Sequence, residues 1–130
     1  MSTVALIDDH ESVRLGLEAA CARDGQTVVF TGSTVGSYLV WRSSTGAPPA
    51  DVVVLDLTLG DGTTVTENVV SLVADGASVV IHSVADRPAA VREALAAGAA
   101  GVVSKSSALD DVLDAIRTVA QGEALNHGEW

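Results

Sequence analysis

Aromatic side chains are nearly missing from this sequence: one Phe, one Tyr and two Trp make up 3% of 130 residues. With apolar residues at 48%, the core has to be assembled from Val, Ala, Leu and Ile, which favours helices packed closely on β-branched strands. Cysteine is limited to Cys21, so no internal disulfide can form, in keeping with a reducing compartment. Positive charge is scarce: seven Lys plus Arg face seventeen Asp plus Glu, giving a formal net charge of −10 and a sequence pI near 4.4. So acidic a chain opposes broad contact with phosphate backbones or anionic lipid, and is expected to bind neither DNA nor membrane by itself. No apolar run is long enough to span a bilayer, and no charged n-region precedes a signal-type apolar stretch. The expectation is a cytoplasmic chain forming one compact domain, long enough to bury roughly two thirds of its unfolded surface.

What is present is a set of short apolar runs. Val4-Ala5-Leu6-Ile7, Val28-Val29-Phe30, Val52-Val53-Val54-Leu55 and Val79-Val80-Ile81 read as strands, with Gly101-Val102-Val103 a weaker fifth. They are continuous instead of alternating, the pattern of parallel strands buried on both faces. The segments between them carry helical spacing. Val13, Leu17 and Ala20 recur at i, i+4, i+7 between Glu11 and Arg23, while Ser33 to Arg42 is more ambiguous. Val65, Val69, Val70, Leu72 and Val73 give an apolar face between Thr63 and Ala74. Pro88 suits a first helical turn ahead of Val91, Ala94 and Leu95, with Gly98 as a left-handed exit. Leu109, Val112, Leu113, Ile116 and Ala120 form the last stripe, and Asp110 and Asp111 lie near the positive end of its dipole. The order is (βα) five times: an α/β fold with a doubly wound, parallel five-stranded sheet of flavodoxin-like type. Residues 1–122 are expected to form this domain, and 123–130 a tail or the start of a linker.

In such a sheet, chemistry gathers outside the carboxyl ends of the strands. Asp8 and Asp9 end the first strand, Asp56 the third and Ser83 the fourth, and Lys105 follows the fifth. Two unit charges about 5 Å apart at an effective dielectric near 20 repel by roughly 3 kcal/mol. Three carboxylates with one lysine therefore call for a divalent cation, and all-oxygen ligands suit Mg²⁺ better than Zn²⁺. Such a site could accept a phosphoryl group on a carboxylate. Asp56, the lone central carboxylate, is the expected nucleophile. Asp8 and Asp9, with Asp56 and the backbone carbonyl of Thr58, would hold the metal. Lys105 would pair with the acyl-phosphate oxygens, and the Ser83 hydroxyl would donate to one. Phosphorylation replaces a charge of −1 by about −2, pulling these donors inward and moving the fourth strand and its following loop.

These residues resemble the response-regulator receiver domain, CheY-like and more narrowly of the NarL/FixJ type. The carriers are Ile7-Asp8-Asp9-His10-Glu11 with Val13-Arg14-Leu15-Gly16-Leu17, then Val54-Leu55-Asp56-Leu57-Thr58-Leu59-Gly60-Asp61-Gly62-Thr63. Ile81-His82-Ser83-Val84 and Gly98-Ala99-Ala100-Gly101-Val102-Val103-Ser104-Lys105 follow in order. The resemblance spans about residues 3 to 122. It implies a Mg²⁺-dependent acceptor of phosphoryl from a sensor histidine kinase onto Asp56, with later self-dephosphorylation and no turnover of an external substrate. It also implies homodimer formation on phosphorylation, and control of transcription through a DNA-binding output domain that this sequence does not contain.

Four positions depart from the family's pattern: Gly60 and Ser106 stand where proline is common, Val102 where many receivers carry Tyr or Phe, and His82 where an apolar residue is usual. Simpler readings exist for several residues. Asp8 and Asp9 could merely cap the next helix, and Asp56 could be a turn residue. Ser83 and Lys105 are ordinary residues at strand ends. His10 is expected to be solvated, His82 a satisfied core or semi-exposed histidine, Cys21 an apolar filler, Trp41 a packing residue and Trp130 part of an exposed tail. Three other functions compete. A haloacid-dehalogenase-type phosphatase would use Asp61-Gly62-Thr63, but its nucleophile would fall at Leu59. A Rossmann nucleotide site needs G-x-G-x-x-G where Asp8-Asp9-His10 stands. A receiver-like interaction domain that is never phosphorylated is opposed by the presence of all five rim residues.

Overall fold

The computed structural model describes residues 2–84 and 87–122. Strands β1 (Thr3–Ile7), β2 (Thr27–Gly32), β3 (Val52–Asp56), β4 (Ser78–Ser83) and β5 (Gly101–Ser104) alternate with helices α1 (Glu11–Arg23), α2 (Val35–Thr45), α3 (Val65–Ala74), α4 (Pro88–Ala97) and α5 (Leu109–Ala120). All pairings are parallel, in the order β2-β1-β3-β4-β5, the doubly wound arrangement expected from the sequence. The expected tail from 123 to 130, with Trp130, lies outside the described residues. Among the described helices, none is long and apolar enough to cross a membrane.

Because side chains alternate along a strand, each strand serves both faces of the sheet. Ala5, Ile7, Val53, Leu55, Val79 and Ile81 pack against α2, α3 and α4, through Tyr38, Val69, Leu72 and Val91. Val4, Leu6, Val52, Val54 and Val80 face α1 and α5, through Leu17, Cys21, Val112 and Ile116. This double burial explains the unbroken apolar runs over residues 4–7, 52–55 and 79–81, while the edge strand β2 is only partly buried. Asp56 closes the most buried strand, since every residue of β3 is buried.

Several expectations needed correction in detail. On α3, Val70 and Val73 are exposed, and the buried face is completed instead by Asn68. Leu109 and Ala120 leave the α5 stripe, and Ala115 and Val119 replace them. The scarce aromatics are not scattered: Phe30, Tyr38 and Trp41 form one cluster, with ring centroids 5.5 to 5.9 Å apart. Buried Tyr38 also accepts the amide hydrogen of Ala50 at 3.0 Å. His82 is buried as one expected reading had it, but its Nδ1 finds no hydrogen-bond partner. Cys21 is a buried filler, its thiol pushed up to about 11 by burial and then by Asp24.

Candidate functional site

The carboxyl ends of β1, β3, β4 and β5 converge on an open pocket of about 290 Å³ lined by Asp9, Asp56, Thr58, Ser83, Arg87 and Lys105, among others. Asp8 is held just past the end of β1, where its amide donates to Gly32 O on β2 at 3.0 Å. Its Oδ1 accepts the His10 amide at 2.9 Å, turning the chain into α1. Neither Asp8 nor Asp9 caps α1: the Asp8 bond goes to the amide of the N-cap residue His10, and the helix has no side-chain cap. Arg14 on the first turns of α1 donates from Nη1 to the Asp8 carbonyl at 2.5 Å, fastening this loop.

Asp8 and Asp56 are buried, and Asp9 is partly exposed. Lys105 bridges the two buried carboxylates, its Nζ standing 3.0 Å from Asp8 Oδ2 and 3.2 Å from Asp56 Oδ1. Asp8 Oδ2 is buried, and the Lys105 ammonium is its neighbour across this contact. Burial, then the Asp8 charge, pushes the Asp56 carboxyl above its usual range despite Lys105. Burial works against the Lys105 charge, but the two carboxylates outweigh it and hold the ammonium above its ordinary value. One lysine is thus shared between acids whose demand exceeds it.

His10 is less detached than expected. Its ring is largely solvated at 62% exposure, yet Nδ1 lies 3.1 Å from both Asp8 Oδ1 and Asp9 Oδ1. One ligand-type atom from each of Asp8, Asp9, His10 and Asp56 falls within 4.8 Å of the others. The oxygen-rich set, two of its carboxylates held rigidly by strands, fits a hard divalent cation.

The fourth strand delivers Ser83, which is buried and donates to its neighbour's carbonyl, Val84 O, at 2.9 Å. The amide of Lys105 donates to Ser83 O at 2.6 Å, coupling the ends of β4 and β5. After β3, Gly60 adopts φ +74°, a conformation proline's ring cannot take. The departure at position 60 therefore reflects a different loop backbone. Further along, Asp61 accepts from the Thr63 amide and hydroxyl at 3.1 and 2.5 Å, and Asn68 donates to Thr63 Oγ1 at 2.9 Å. Asp61 is thereby committed to its own loop, which removes the phosphatase reading of Asp61-Gly62-Thr63. Val102 sits in the core beneath α4, so no aromatic side chain arises from that position.

Asp8, Asp9, Asp56, Thr58, Ser83 and Lys105, all singled out by sequence, lie at this one rim. Arg14, Asn68 and Arg87 were not, because a helix-surface arginine, a helical asparagine and a loop arginine carry no distinguishing pattern.

The chain matches the response regulator receiver domain over residues 4–117. It belongs to that family. The transcriptional regulatory protein UhpA of Salmonella typhimurium is 36% identical over 125 residues, covering 94% of this chain and 60% of UhpA. LiaR of Bacillus subtilis is 33% identical, covering 95% and 58%. The crystal structure of a LuxR-family two-component response regulator from Aurantimonas sp. SI85-9A1 superimposes with a TM-score of 0.84 at 28% identity, covering 99% of this chain and 91% of that one. This receiver domain is thus of the LuxR/NarL response-regulator kind, and it spans about 60% of the length of the curated relatives it matches.

Proposed function

We propose that Asp56 is the phosphoryl acceptor of this receiver domain, supplied by a sensor histidine kinase. The observation that carries this is the buried Asp56 carboxylate at the end of the central strand, 3.2 Å from Lys105 Nζ and clustered with Asp8 and Asp9. An Asp56 oxygen attacks phosphorus in line. The new O–P bond forms as the donor's bond to phosphorus breaks, and the leaving group, a histidine nitrogen or acetate, keeps the bonding pair. Mg²⁺ held by Asp8, Asp9, Asp56 and the Thr58 backbone carbonyl would supply neutralisation of the phosphoryl oxygens.

Lys105 leaves its shared position between Asp8 and Asp56 to pair with the acyl phosphate. The Ser83 hydroxyl gives up Val84 O for a phosphoryl oxygen, and because Ser83 also accepts from Lys105 N, this movement is transmitted to both β4 and β5. The outcome is a changed surface instead of a released product: self-association on phosphorylation, and control of transcription through a DNA-binding domain outside this sequence. Relatives named as transcriptional regulators support that reading, as does an acidic chain ill suited to touching DNA itself. Such signalling takes place in the cytoplasm.

The test is intact mass after incubation with acetyl phosphate and Mg²⁺. Wild type is expected to gain one phosphoryl group, and an Asp56→Asn variant or a chelated sample none. If wild type neither binds Mg²⁺ nor gains mass, the domain is an unphosphorylated interaction module.

A further inference from the structure

We infer that Arg87 is an anion-recognition residue of this pocket, taking a phosphoryl oxygen of the incoming donor. This rests on the acceptor reading of Asp56. Arg87 stands at the N-cap of α4, where its side chain makes no capping bond. It reaches across the pocket mouth instead, with Nη1 donating to Thr58 Oγ1 at 3.0 Å. It lines the same pocket as Asp56, Ser83 and Lys105, and among the described residues it forms no ion pair.

A donor phosphoryl group approaching this pocket meets the carboxylates of Asp9 and Asp56, while the Lys105 ammonium is already divided between Asp8 and Asp56. Among the described residues, Arg87 is the guanidinium at the mouth that pairs with no carboxylate. A guanidinium matches phosphate oxygens with a planar fork of donors. Its present partner is a neutral hydroxyl, so moving to a phosphoryl oxygen replaces a neutral hydrogen bond by a charge-assisted one. Packing gives no competing reason for the contact, because Arg87 is exposed. The position also lets the occupied pocket bear directly on the first turn of α4.

The test compares phosphorylation rates of wild type, Arg87→Gln and Arg87→Lys at saturating Mg²⁺, with acetyl phosphate, a dianion, and phosphoramidate, a monoanion overall. Arg87→Gln is expected to slow reaction with acetyl phosphate by about tenfold, the scale of one charge-assisted hydrogen bond. Phosphoramidate should lose less, and Arg87→Lys should recover part of the loss. Added salt should slow wild type more than Arg87→Gln. Mg²⁺ affinity and thermal midpoint should stay unchanged in Arg87→Gln. Unaltered rates in Arg87→Gln overturn the inference while leaving the acceptor reading intact. Equal loss with both donors accompanied by weaker Mg²⁺ binding overturns it in favour of a structural role. A wild-type chain that takes phosphoryl from neither donor overturns both.

Discussion

The two ends of the sheet treat charge in opposite ways. At the amino end, Arg42 closes onto Asp75 at 2.6 Å and onto the Ala47 carbonyl at 2.6 Å, joining the ends of α2 and α3. Arg117 holds Asp24 at 2.5 Å, and also Asp114, joining α5 to the end of α1. Thr3 and Asp51 exchange hydrogen bonds at 2.9 Å in both directions. The guanidiniums of Arg42 and Arg117 there each hold at least one carboxylate, and Asp51 is held by Thr3. At the carboxyl end, Asp8, Asp9 and Asp56 gather around Lys105 and the ring of His10, and the two buried carboxylates share the one lysine. The same backbone tolerates both because the strands and the two apolar layers supply the stability that the site gives away. Charges that tie one element to another mark the end that holds the fold together, and buried carboxylates crowded on one lysine mark the end kept ready for a ligand.

That contrast can be broken in a graded series. The largest effect concerns the missing positive charge. Mg²⁺ at a hundred times its dissociation constant should stabilise wild type by about 2.7 kcal/mol in denaturant titrations. An Asp9→Asn substitution should remove most of that gain. Next comes the amino-end half of the molecule. Tyr38→Phe leaves the buried Ala50 amide without its acceptor, and should cost about 2 kcal/mol. That cost should be the same with and without Mg²⁺, and a metal-dependent cost would mean that the two ends are not independent.

A smaller effect of opposite sign is expected at the site. Burial and Asp8 already disfavour the Asp56 charge, so Asp56→Asn should raise the stability of the metal-free protein by about 1 kcal/mol. A loss of stability would show that the Lys105 pairing outweighs the repulsion.

The smallest effect is a pH slope. Burial, then the Lys105 charge, lowers the His82 pKa from its ordinary 6.5. The unfolded chain therefore binds the proton first as pH falls, and stability that His82 contributes above about 6.5 is lost on further acidification. His82→Leu should flatten this part of the stability profile between about pH 7.5 and 5.5, measured in chelator. An unchanged slope would place the titration elsewhere.

Much of this was legible in the sequence because strands buried on both faces leave no polar gaps. The rim followed from where those runs stop: Asp8, Asp56 and Ser83 sit at or just past strand ends. Helix boundaries were legible where a punctuating residue stood, as Pro88 and Gly98 do for α4. They slipped on α2, which begins after the Thr34 side chain caps the Ser37 amide and runs to the left-handed Gly46. Apolarity alone could not sort the α3 face, because Val70 and Val73 match their buried neighbours in type and differ only in azimuth. Nothing in the sequence pattern marks Asn68 as buried, and its side chain is held by a hydrogen bond to Thr63 that only the folded loop supplies. Arg14 and Arg87 act across loops, through a backbone carbonyl and a hydroxyl, partners that leave no spacing to read.

The central claim is that one carboxylate, Asp56, receives the phosphoryl group. Phosphorylating the protein with acetyl phosphate and Mg²⁺, reducing the acyl phosphate with borohydride and mapping the peptides tests it most directly. The account predicts homoserine at position 56 and at no other aspartate. Homoserine at Asp8, Asp9 or Asp61 instead, with Asp56 intact, would contradict it.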